Sequence, residues 1–218
     1  MKPNRIKIWD LPVRIFHWTM VLNVTVSVIT GFIAGVALKY HFWAGYGVLT
    51  LVLFRIMWGL IGSEHARFAS FIRGPRAVLA TLRQLVTREP LNFVGHNPVG
   101  ALMVVLLLLG LVVQTATGLF ANDDIFNEGP LYSHVSKAVS DWLTGIHELN
   151  ADIILGLVAL HIAAIAYHWR RKGENLVLPM LNGYKESPIA IVTKQRSSWL
   201  ALSLLLLSVA FVGWLVNQ

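Results

Sequence analysis

The sequence predicts an all-α integral membrane protein: a four-helix transmembrane bundle followed by a fifth C-terminal transmembrane helix. Three observations predict it. Of the 218 residues 56% are hydrophobic and only 13% charged, and the mean hydropathy is +0.62, values outside the range of ordinary soluble domains. Five mostly apolar runs, near residues 14–37, 41–61, 98–121, 147–169 and 199–216, are each long enough to cross about 30 Å of hydrocarbon. The basic residues sort by side. Fifteen lie in one alternating set of segments: Lys2, Arg5, Lys7 and Arg14, then Arg67, Arg73, Arg76, Arg83 and Arg88, then Arg170, Arg171, Lys172, Lys185, Lys194 and Arg196. The other set holds only Lys39 and Lys137, with Arg55 inside a span. That asymmetry places the N-terminus in the cytoplasm and the C-terminus in the periplasm, so the net charge of +7 reports topology and not nucleic-acid binding.

The chain has no cysteine, which excludes disulfides, iron–sulfur clusters, thiolate metal sites and covalent haem attachment through a C-x-x-C-H motif. The basic N-terminus, MKPNRIKIWDLPVRIFHW, lacks a short apolar core with a cleavage site, so the first span is expected to remain in the mature protein.

The first span begins after WDLPVR, with His17 about one turn inside it and Gly31 on the same face, 14 residues on. The second follows a very short connection, with His41 at its outer end and Arg55 on its face, again 14 residues on. Fourteen residues are close to four helical turns, about 21 Å of rise. Because the two spans are antiparallel, His17 and Arg55 fall toward the inside, and His41 and Gly31 toward the outside.

The segment from Gly62 to Asn97 contains a helix near 75–88, opened by Pro75, with Val78, Leu79, Leu82, Leu85 and Val86 at helical spacing and Arg76, Arg83 and Arg88 alongside. It reads as an amphipathic helix on the inner lipid surface. The third span has no internal histidine and is expected to pack and shield. The outer loop after it is acidic at Asp123, Asp124, Glu128 and Asp141, too long for a simple connector, and suited to docking a periplasmic partner.

The fourth span, HELNADIILGLVALHIAAIAYHW, carries His147 and His161, 14 residues apart on one face. Ionisable residues at membrane depth are costly and mark function. Two layers follow, His17 with His161 inside and His41 with His147 outside. Zinc or copper sites draw their ligands from within one or two turns, whereas here each layer joins different helices, so axial ligation of a flat macrocycle explains the pattern better. His168 shares the face of His161 but adjoins the headgroups, and using it would spread the two metals to about 31 Å. His65, His96 and His134 fall in polar loops and read as solvated or structural. Gly31 and Gly45 lie near the outer site, where a macrocycle needs room. Arg55 either neutralises a haem propionate or snorkels to the inner surface, and Arg14 is either a propionate partner or a topology marker. A polar, basic segment from 170 leads to the last span, which has no ionisable residue and is expected at the bundle's periphery.

The motifs WDLPVRIFHW, HFWAG with an arginine 14 residues after its histidine, GHNPVGALM, QTATGLF and HELNADIILGLVALHIAAIAYHWRRKGENL resemble the superfamily of bacterial cytochrome b561 and nickel–iron hydrogenase b-type cytochrome subunits, over about residues 6–183. The resemblance implies a bacterial inner-membrane domain at 1–183, a four-helix bundle with two non-covalent b haems held by His17 with His161 and His41 with His147. It further implies electron transfer between a membrane quinone and a redox partner such as a hydrogenase, another dehydrogenase or a c-type cytochrome. Residues 184–218, a linker and fifth span, depart from that pattern. The rival reading is a non-redox membrane protein, either a histidine-based metal-ion transporter or an anchoring subunit.

Overall fold

The computed structural model describes residues 4–87, 93–187 and 193–218; Lys2 and Arg88 lie outside them. In chain order the elements are strand β1 (Asn4–Lys7), helices α1 (Leu11–Ile33), α2 (Leu38–Ile61), α3 (Phe68–Phe71), α4 (Pro75–Leu85), α5 (Pro98–Gly118), α6 (Lys137–Tyr167) and α7 (Val177–Asn182), strand β2 (Tyr184–Ser187) and helix α8 (Ser198–Leu215). Five of the helices, α1, α2, α5, α6 and α8, are long and apolar enough to cross a membrane, and the protein is an all-α integral membrane protein.

The start of α1 shows how local chemistry sets the frame. Asp10 caps the helix by accepting from the Val13 amide at 2.8 Å, and Pro12 follows where its missing N–H costs nothing. The other carboxylate oxygen accepts from Trp58 Nε1 at 3.0 Å, so the WDLP motif both begins α1 and pins it to α2. The cap extends α1 outward from residue 14 to Leu11 and sets His17 about two turns inside the helix. The α1–α2 reversal is tight, with Ala34 and Gly35 both at positive φ (57° and 56°), the second being a position where glycine carries no Cβ penalty.

Helices α1 and α2 pack closely, as do α5 and α6, and α2 also packs against α5 and α8; no comparable packing of α6 on α1 or α2 occurs among the described residues. Helix α6 therefore stands further from the α1–α2 pair than from α5. At mid-depth it joins them in an apolar cluster of Met20, Val48, Leu51, Val52, Leu111 and Ile154. Ile154 comes from α6 midway between His147 and His161, so this cluster lies between the two histidine levels.

At the basic end, β1 pairs antiparallel with β2, Asn4 opposite Ser187 through Lys7 opposite Tyr184, and the Ile8 and Trp9 amides both donate to the Gly183 carbonyl, at 2.9 and 3.2 Å. Among the described residues this ribbon is the one sheet, beside an isolated antiparallel bridge between Asn122 and Glu128 in the outer loop. Helix α8 lies outside the four-helix core but is packed into it, with Ala201 in a buried cluster with Ile6, Ile8, Trp9, Val13, Phe54 and Trp58.

Helix α6 begins at Lys137, ten residues before the apolar run at His147, because Ser136 caps it, accepting from the Val139 amide, and because the outer loop packs along the added turns. Asn122 donates to Ser140 Oγ at 2.6 Å and Asp141 Oδ1 at 3.0 Å. Asp123 Oδ1 accepts from the amides of Ile125, Phe126 and Asn127. Hydrogen bonds from the Asn127 side chain first, then from these amides, hold the Asp123 carboxyl far below the ordinary carboxylate range. The loop is thus a built structure, with Phe126 92% exposed at its tip. At its other end α6 passes into a π-helical turn over His168–Lys172 that ends at Gly173 (φ 66°).

Candidate cofactor-binding site

At the loop end, His41 from the first turn of α2 faces His147 of α6, the two ring centroids 6.1 Å apart and the planes inclined at 69°. His41 Nδ1 lies 2.8 Å from the Ser27 carbonyl of α1, and His147 Nδ1 lies 3.0 Å from the Gln114 carbonyl of α5, with Thr117 Oγ1 at 3.3 Å. A carbonyl only accepts, so each ring carries its proton on Nδ1 and keeps the Nε2 lone pair for a ligand. Anchoring the far nitrogen in this way is how proteins orient imidazoles that bind metal. Two imidazoles bound trans to one metal, each by a bond of about 2 Å, have ring centres about 6 Å apart. The pair fits a bis-histidine iron.

The glycines serve this pair. A Cβ on Gly31 would lie 3.2 Å from His41 Nδ1, and one on Gly118 would lie 2.8 Å from His147 Cε1. Gly31 makes room for the imidazole itself, a closer duty than room for a macrocycle. Nothing lies within 4 Å of a Cβ on Gly45, one turn inward from His41. Sequence reasoning gave Ser27, Gln114, Thr117 and Gly118 no role at the site. For the three on α5 the signal was the short polar run QTATG inside an otherwise apolar span. Asn150 adds to the same seam, donating to the Gly110 carbonyl at 2.9 Å and to Gln114 Oε1 at 2.6 Å, so α5, expected only to shield, supplies the anchors.

At the basic end, His17 of α1 and His161 of α6 are both half-buried, and neither ring contacts the other among the described residues. Buried side-chain nitrogens without a protein partner include His17 Nδ1, Arg55 Nη1, Arg14 Nε, Arg67 Nε, His65 Nε2 and His96 Nδ1. Leaving one such group unsatisfied costs about 1–3 kcal/mol, so the arginine nitrogens among them suit an anionic partner. Arg55 is 4% exposed, its guanidinium 4.8 Å from the Phe68 ring centroid and 6.0 Å from that of Phe71. It does not snorkel to water. Arg14 Nη1 donates to the Leu181 carbonyl, so part of its role is to hold α7 onto α1.

His96 departs from the solvated loop residue expected. It is wedged between Trp9 and Phe71, with ring centroids 4.6 and 4.8 Å away, and its imidazole is pushed down to about 3 by burial, then by the charges of Arg55, His65 and His161. Burial also lowers His65, against a smaller opposing pull from Glu64. Both are neutral near pH 7. His168 is buried and its Nδ1 sits 3.0 Å from Glu174 Oε2. Burial alone would raise the Glu174 carboxyl, but hydrogen bonds from His168 and Lys185 outweigh it and bring it below its usual value. Lys185 also donates to the Phe93 carbonyl at 2.7 Å, so His168 belongs to a tie between α6, β2 and the loop before α5, whereas His161 makes no hydrogen bond among the described residues.

The family model of prokaryotic cytochrome b561 matches residues 8–183. The chain belongs to the prokaryotic cytochrome b561 family. It is a multi-pass membrane b-type cytochrome, an electron-transfer protein. Among its relatives, the probable Ni/Fe-hydrogenase B-type cytochrome subunit of Rhodobacter capsulatus is 24% identical, over 82% of this chain and 80% of its own length. That of Cupriavidus necator is 25% identical over 82% and 86%, and the Ni/Fe-hydrogenase 1 subunit of Escherichia coli K12 is 22% identical over 87% and 95%. No solved structure matches the chain.

Proposed function

We propose that this b561-family cytochrome carries two haems b, one between His41 and His147 and one between His17 and His161, and passes electrons across the bacterial inner membrane between the quinone pool and a redox partner protein. The observation that carries it is the facing His41–His147 pair, 6.1 Å apart with both Nδ1 atoms anchored on backbone carbonyls. A bis-histidine haem supplies one-electron exchange at its edge and has no open coordination position for substrate. The protein's own residues do the rest. Ser27 and Gln114 fix the tautomer and angle of the outer imidazoles, Gly31 and Gly118 let those rings seat against the neighbouring helix, and Arg55 with Arg14 offers positive charge to propionates at the basic end.

The printed names of the relatives support a hydrogenase as the partner, with another dehydrogenase or a c-type cytochrome as the alternatives. The fifteen-to-two distribution of basic residues supports an N-terminus in the cytoplasm and a C-terminus in the periplasm, so the acidic outer loop faces a periplasmic partner. Against the non-redox reading, the facing His41–His147 pair, joined from two helices, suits a macrocycle.

The test is the reduced-minus-oxidised visible spectrum of the purified chain, with haem per polypeptide counted by pyridine haemochrome. Two haems are expected, with His41→Ala and His161→Ala each losing a different one. A colourless protein overturns the reading, and retention of both haems by His161→Ala moves the inner ligand to His168.

A further inference from the structure

Helix α4 does not lie on the bundle as a flush surface helix. It leans on α5 and leaves a groove of about 340 Å³ between them, lined by Pro75, Val78, Leu79, Leu82 and Leu102, with Arg73 at its mouth. Leu79 and Leu82 remain about half exposed, and the lining is almost wholly apolar, so in water this groove would be an unfilled cost. Arg73 is held in place by donating to the carbonyls of Ser70 at 2.8 Å and Ile72 at 3.2 Å, which leaves the rest of its guanidinium fork free for an anion. Arg76 and Arg83 stand on the same short helix and are exposed.

The other end of α4 is clamped. Tyr167 Oη donates to the Leu85 carbonyl at 2.5 Å, and Lys172 Nζ donates to the Gln84 and Thr87 carbonyls at 2.9 and 2.5 Å. The groove is therefore held open by the end of α6 and is not a loosely docked helix awaiting closure.

We propose that this groove is a specific site for one anionic phospholipid of the leaflet at the basic face, an acyl chain lying between α4 and α5 and the phosphate on Arg73 and Arg76. The charge at the mouth selects this occupant. A neutral isoprenoid would fill the apolar part but leave Arg73 without a counter-charge, and a zwitterionic lipid brings a cation with its phosphate against Arg73 and the exposed Arg76 and Arg83 of the same helix, whereas anionic headgroups are drawn to such clusters. The proposal stands apart from the haem assignment, because it uses none of the histidines.

The test uses the full chain in mild detergent and in nanodiscs of phosphatidylcholine, with bound lipid read by native mass spectrometry and thermal stability read in parallel. One phosphatidylglycerol per chain is expected to be retained and to raise the melting temperature, with phosphatidylcholine doing neither. Arg73→Gln with Arg76→Gln is expected to weaken phosphatidylglycerol binding by about 30-fold, and Leu82→Trp, which fills the groove from a half-exposed position, to abolish it while leaving the haem spectrum unchanged. Equal stabilisation by inorganic phosphate alone would overturn the lipid as ligand. Retention of phosphatidylglycerol by Leu82→Trp would overturn the groove as its seat, and so would a quinone released from the groove in place of a phospholipid.

Discussion

Gly118 of α5 stands directly behind the His147 ring, so that a β-carbon there would lie 2.8 Å from Cε1. Contacts that short are repulsive, and the ring is tied to the same helix, one turn away, by the Gln114 carbonyl. Gly118→Val is therefore expected to displace His147 and to lose the outer haem while keeping the inner one. Gly31, whose β-carbon would meet His41 Nδ1 at 3.2 Å, is expected to tolerate alanine with weakened haem retention and to fail with leucine. Haem per chain, counted after purification, decides both.

Asp10 carries two duties with one carboxylate, the α1 cap and the acceptor for buried Trp58. Asp10→Ala is expected to destabilise the fold by about 2–4 kcal/mol, summing a lost cap and an orphaned indole donor. Trp58→Phe, which removes only the second, is expected to cost less through that bond, although it also shrinks a fully buried side chain. Thermal unfolding followed by circular dichroism in detergent compares them.

The five apolar helices and the facing of His41 and His147 were legible because both rest on local periodicity. Apolar runs report span length, and a 14-residue interval reports a shared helix face whatever the neighbours do. What escaped was non-local. Strand β1 is four largely polar residues whose partner lies some 180 positions on, and nothing in either stretch signals the other. His96 sits in a polar-looking segment, yet Trp9 and Phe71 close over it from distant parts of the chain. Gln114 and Thr117 were visible as polar residues in a span, but their task depends on the register of α5 against α6. The early start of α6 at Lys137 escaped because hydropathy measures burial in lipid, whereas its first turns are organised by hydrogen bonds to the outer loop.

Arg55 is a buried cation with an unpartnered donor over an aromatic ring. Arg55→Leu is expected to lower the midpoint potential of the inner haem by on the order of 50–100 mV, since removing a nearby positive charge at low effective dielectric disfavours the added electron. Arg55→Lys, retaining charge without the fork, is expected to shift it less. Potentiometric titration measures both, and an unmoved inner potential would separate Arg55 from that site.

His96, lowered to about 3 by burial and then by neighbouring positive charge, gives a pH dependence of defined sign. Between that value and the ordinary histidine pKa of about 6.5 the unfolded chain binds a proton that the folded chain does not, so stability falls as the pH drops through this window. The melting temperature is expected to decline from pH 7 to pH 4, and His96→Gln to flatten that decline. Glu174, lowered in the fold, works in the same sense at the acid end: its contribution is present above the usual glutamate value of about 4.3 and is lost as the pH falls through the lower folded one.

The six side chains Met20, Val48, Leu51, Val52, Leu111 and Ile154 between the two histidine levels are hydrocarbon. Under the proposed two-haem reading, electrons would tunnel through this layer over a short distance, whereas protons would need polar partners that these six side chains do not offer. A current of electrons alone through it would leave the ion gradient across the bilayer intact.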